Sequence, residues 1–106
     1  MDIELAKRLL QEGKRLAPDR FPQPSLDVAK SWQRVLSQVD FPPRLWGEAV
    51  DLWATTLVGD RMCTPRDLIQ AAYTVRDRWE SVPETARVLD ELRAARANRN
   101  YARAGL

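Results

Sequence analysis

Apolar residues recur along this chain at intervals of three and four, in segments broken by proline and glycine. Residues 3–16 place Leu5, Leu9, Leu10 and Leu16 on one stripe with Ala6 beside them. Asp2 and Glu4 suit the positive start of that helix, and Lys14 and Arg15 suit its end. Pro18, Pro22 and Pro24 forbid regular helix through the next stretch, where Phe21 is expected to plug the core. Ser25 then caps a second helix whose face is Val28, Trp32, Val35, Leu36 and Val39. After Pro42-Pro43 a third helix carries Leu45, Trp46, Ala49, Val50, Trp53 and Leu57.

The stretch GDRMCTPRDLIQ (59–70) holds a stop and a start together. Gly59 is expected to end the third helix in a left-handed conformation. Thr64 is expected to cap the fourth, with Pro65 at its first position and Asp67 reaching back as a capping-box partner. Met62 and Cys63 are apolar in a connector and are expected to turn inward. The fourth helix carries Leu68, Ile69, Ala72, Val75 and Trp79 to about residue 80. Ser81 and Glu84 repeat the capping spacing ahead of a fifth helix with Val88, Leu89 and Leu92, which thins into alanines and is expected to fray. Period-two alternation is absent. The expectation is an all-α compact bundle of about five helices, with residues 1–82 as the core domain and 83–106 as a C-terminal helix and basic tail.

A chain of 106 residues suits one small domain and hides roughly 65% of its unfolded surface. Trp32, Trp46, Trp53 and Trp79 are many for that length and are expected to be buried. Charge is unevenly spread. Residues 1–83 carry twelve Lys/Arg against twelve Asp/Glu, whereas four Arg and no acid follow Leu92. A neutral body with a basic tail points to an anionic partner. The single Cys63 permits no internal disulfide, no apolar run approaches membrane-spanning length, and the first residues lack signal-peptide order. A cytoplasmic location is expected.

The chemistry-bearing residue types are sparse. The chain has no histidine, one cysteine, and no glycine-rich phosphate loop. A non-enzymatic protein without metal or cofactor is expected. Two sets of residues are candidate binding faces. Arg93, Arg96, Arg99 and Arg103 recur at helical spacing, with Tyr101 among them, and are the expected partner-binding residues. Arg66, Gln70, Tyr73 and Arg76 on the fourth helix are the alternative, a nucleic-acid face. The Val58–Cys63 connector is longer than a helix-turn-helix turn, which weighs against that motif.

Residues Ala29–Arg78 resemble the bacteriophage replicative-helicase loader and inhibitor family, small phage or prophage proteins. The resemblance rests on a tryptophan helix, SWQRVL; a second helix with Ala and Trp, LWGEAVDLW; a loop; and TPRDLI opening the next helix. It implies a helical protein without ATPase activity that binds a host replicative helicase through its C-terminal part, with a phage initiator protein as a second partner. The expected function is therefore a DNA-replication accessory protein that loads or inhibits a replicative helicase by protein–protein contact. The alternative is a small nucleic-acid-binding regulator that uses the basic C-terminal arm.

Overall fold

Asp2 sets the start of the first helix. Its backbone is extended, and its carboxylate accepts the Leu5 N–H at 2.7 Å, satisfying one of the free amides of the first turn. This computed structural model describes residues 1–104, with side chains described through Arg99. Five α-helices follow in order: α1 (Ile3–Leu16), α2 (Leu26–Leu36), α3 (Pro43–Leu52), α4 (Pro65–Glu80) and α5 (Pro83–Ala104), with a π turn (Trp53–Leu57) continuing α3. The fold is all-α, and no strand occurs among the described residues.

The chain divides into two units, Met1–Val75 and Arg76 onward, with the division inside α4. In the first unit α1 packs on α2, on α3 and on the π turn. Its core is Leu9, Leu10, Phe21, Trp32, Leu36, Leu45, Trp46, Val50, Trp53 and Leu68, all buried. Phe21 plugs this core as expected. Its ring meets Trp53 edge-on at 5.4 Å and Trp32 at 6.2 Å. The proline-rich turn that delivers it is closed by the Lys14 ammonium, which donates to the carbonyls of Pro18 (2.8 Å) and Phe21 (3.3 Å). Gly13 makes this approach possible, because a Cβ there would lie 2.3 Å from the Phe21 ring.

Ser25 caps α2 by accepting the Val28 N–H at 3.2 Å. Pro42 and Pro43 open α3 without a side-chain cap, and the Pro42 carbonyl receives the amides of Leu45 and Trp46. The other mid-helix glycine, Gly47, differs from Gly13: a Cβ there would meet nothing within 4 Å.

The end of α3 departs from the sequence pattern. The π turn takes an extra residue per turn, so the Trp53-to-Leu57 spacing no longer returns to the core. Ala54 is buried, while Leu57 is 49% exposed. The helical path stops at Val58, whose backbone is extended, and no described glycine has a positive φ. Gly59 is thus not a left-handed cap. Two further side chains are corrected to the surface: Leu16, the last residue of α1, and Met62. Cys63 does turn inward, and its N–H donates to the Arg20 carbonyl at 2.7 Å.

In the second unit Trp79 and Leu89 are buried, so all four tryptophans lie inside. Ser81 does not cap α5. Its hydroxyl turns back to the Arg78 carbonyl at 2.7 Å, finishing α4, and Val82 precedes Pro83. Thr85 instead reaches back, donating to the carbonyls of Trp79 (2.7 Å) and Val82 (3.2 Å). The stretch expected to fray is helical to Ala104, in keeping with the high helix propensity of its Ala and Arg.

Candidate partner-binding surfaces

The head of α4 is the most elaborately bonded place in the first unit. Thr64 Oγ1 accepts the Asp67 N–H at 3.3 Å, and the Asp67 carboxylate accepts the Thr64 N–H at 2.9 Å, a reciprocal capping box. Asp67 also receives both ends of a fork from Arg61, at 2.6 and 2.5 Å. Asp67 is only 8% exposed, and both of its carboxylate oxygens are engaged. Hydrogen bonding from Arg61 holds it below the usual carboxylate range, with the Thr64 N–H and hydroxyl adding to the effect against burial. The connector is tied at its other end as well, where the Arg20 guanidinium donates to the Gly59 carbonyl at 2.8 Å. Burial, with Asp67 nearby, pushes the Cys63 thiol up to about 12, so it stays a protonated core group. The 59–64 segment is a stitched connector.

Arg61 is the residue that sequence reasoning missed. The available signal was an arginine three residues before a Thr-Pro-Arg-Asp cap, and a short Asp where a longer Glu is usual. Asp keeps its carboxylate close to the helix start, and Arg61 comes to it across the connector.

On α4, Arg66, Gln70 and Tyr73 are exposed and lie on one face by their spacing. Tyr73 is partly committed to structure, its ring edge-on to Phe41 at 5.7 Å, and Phe41 in turn packs on Trp46. Arg76 is half-buried and pairs with Asp77 at 3.0 Å. Arg66 and Gln70 thus remain exposed on that face, while Tyr73 and Arg76 also take part in contacts within the protein.

On α5, Leu89 is the single buried residue among those described from Pro83 to Arg99, and Leu92 is half-buried. Arg93, Arg96 and Arg99 are exposed. Arg93 bonds Glu80 and, at 3.3 Å, Asp90. The bond to Glu80 raises its guanidinium above the ordinary value. The side chains of Tyr101 and Arg103 lie outside the described residues. No group of three or more metal-ligating side chains occurs among the described residues, and no described helix is long and apolar enough to cross a membrane.

Comparison with family models, curated proteins and solved structures finds no match to this chain.

Proposed function

We propose that this chain is a non-enzymatic cytoplasmic accessory protein of phage or prophage DNA replication, which binds a replicative helicase and loads or restrains it through α5. The observation that carries the reading is the imbalance of α5: a helix of 22 residues with Leu89 as its one buried side chain through Arg99, and with arginines as the only charged residues past Leu92. A helix that contributes so little to a core leaves most of its surface for another molecule. The pattern of anchors in Ala29–Arg78 supports the helicase as that molecule, by its resemblance to helicase loaders and inhibitors.

An adaptor of this kind works by binding free energy alone. A row of arginines meeting acidic side chains raises the encounter rate and fixes orientation, and its effect weakens with salt. Arg93 exchanges Glu80 and Asp90 for a partner carboxylate, so its contribution is mainly to orientation.

The test is co-elution of the purified chain with a hexameric replicative helicase, alongside a salt titration of binding to duplex DNA. The account expects a stable complex with the helicase and weak DNA binding. Steeply salt-dependent DNA binding without helicase binding would instead establish the nucleic-acid regulator.

A further inference from the structure

A trough of about 550 Å³ runs between α1 and α3 within the first unit. Its floor is formed by the edges of Leu5 and Leu9 from α1 and by Pro43 and Gly47 from α3. Nothing inside the protein demands the glycine. It lies mid-helix, where glycine weakens the helix, and a Cβ there would touch nothing within 4 Å. At Gly13 the ring of Phe21 explains the missing side chain; at Gly47 the open space lies in the trough. The backbone of α3 is thus bare where an incoming element could approach it closely.

The rim is basic. Arg8, Arg15 and Arg44 line the trough against one acid, Glu12. Arg15 is forked onto Glu12 at 2.7 and 2.6 Å, and Arg44 reaches Glu48 at 3.8 Å. Arg8 is exposed and makes no hydrogen bond or ion pair among the described residues. With Arg15 on Glu12 and Arg44 on Glu48, the positive charge left over on the lining is that of Arg8. Both walls are helices, whose backbone groups are bonded internally, so the trough has no edge to which a strand could add. From Leu5 to Arg15 it spans about 15 Å, which is close to three turns of a helix laid along it.

We propose that the α1–α3 trough docks an amphipathic helix of a partner protein, with small and apolar residues on its inward stripe and carboxylates on the flank facing Arg8. This surface is separate from α5, and the inference stands whether or not the chain binds a helicase.

The test uses the full-length, isotope-labelled chain and two synthetic stapled helices of about 15 residues, matched to the trough length. One carries an Ala/Leu stripe flanked by Glu; the other has Lys at each Glu position. The Glu peptide is expected to shift the amide resonances of Leu5, Arg8, Leu9 and Gly47, and to bind roughly tenfold tighter than the Lys peptide. Gly47→Leu places a side chain in the trough from a position where a Cβ meets nothing within 4 Å, and is expected to weaken binding by roughly tenfold. Arg8→Glu, a fully surface change, is expected to weaken it roughly threefold. Both variants should keep the wild-type spectrum elsewhere. The proposal is overturned by equal binding of the two peptides, by undiminished binding to Gly47→Leu, by shifts confined to other residues, or by no shift at millimolar peptide. Self-association of the peptide-free chain through these same residues also overturns it, because a second copy would then be the occupant.

Discussion

The unit Met1–Val75 and the helix α5 are both helical, yet they are helical for different reasons. In the first unit the helices carry apolar stripes and several ends are tied: Asp2 to Leu5, Ser25 to Val28, Thr64 to Asp67. The connectors take part too, since Phe21 enters the core from a proline-rich turn and Cys63 from the α3–α4 link. In α5 the helix rests on the propensity of Ala, Arg, Leu and Glu, with Leu89 as its buried side chain through Arg99. Tertiary packing specifies the first region; local preference suffices for the second. If α5 is the partner-binding helix proposed above, stability and partner binding can be altered separately in this chain, and each substitution below bears on that separation.

The largest effect belongs to Phe21→Ala. Removing a fully buried ring that bridges Trp32 and Trp53 is expected to cost about 3–5 kcal/mol in chemical denaturation. A loss under about 1 kcal/mol would mean that the linker is not part of the core.

The two helical glycines give the next contrast. Gly13→Ala drives a methyl into the Phe21 ring and is expected to destabilise by about 1–3 kcal/mol. Gly47→Ala meets open space and is expected to stabilise by up to about 1 kcal/mol, through helix propensity alone. Opposite signs in the two melts support the packing described here, and equal signs contradict it.

Much of that contrast was not legible in the sequence. A lone Gly inside a helical stripe reads the same whether or not an aromatic ring sits over it. Helix positions, the four tryptophans and the Thr64–Asp67 box were legible, because spacing and capping are local. The π turn was not, and it misled the reading twice. The Trp53-to-Leu57 spacing fits an α-helix, and Gly59 fits a left-handed stop, yet one extra residue per turn carries Leu57 outward, and the path ends at Val58 with no positive φ at Gly59. Ser81 and Thr85 show a similar limit, since both hydroxyls lie near a helix start and only the observed geometry shows that each turns back. The candidate binding residues were visible as an arginine row, but not the commitment of Arg93 to Glu80, which depends on tertiary structure.

Thr64→Ala is expected to cost roughly 1 kcal/mol, because the Asp67 N–H loses its acceptor. Helicase binding should survive it if the connector is only structural; binding lost at normal stability would make the 59–64 segment a contact.

A smaller effect appears in acid. The folded carboxyl of Asp67 titrates below its unfolded value of about 3.9. Its stabilisation is therefore complete above that value and is lost as the pH falls through the folded one. Melting midpoints of Asp67→Asn should depend less steeply on pH below about 4 than those of the wild type. Parallel curves would remove Asp67 as a source of acid sensitivity.

The smallest expected change in stability comes from the truncation that tests the proposed function. Truncation after Leu92 keeps Leu89 and Leu92 and removes Arg93, Arg96, Arg99 and the residues after them. The decisive measurement is the melting midpoint of this truncated chain, taken together with its affinity for a replicative helicase. The account predicts a midpoint within roughly 2 °C of the full chain and an affinity lower by about tenfold. An unchanged affinity, or a collapse of the melt, would contradict the division between a packed core and a partner-binding helix.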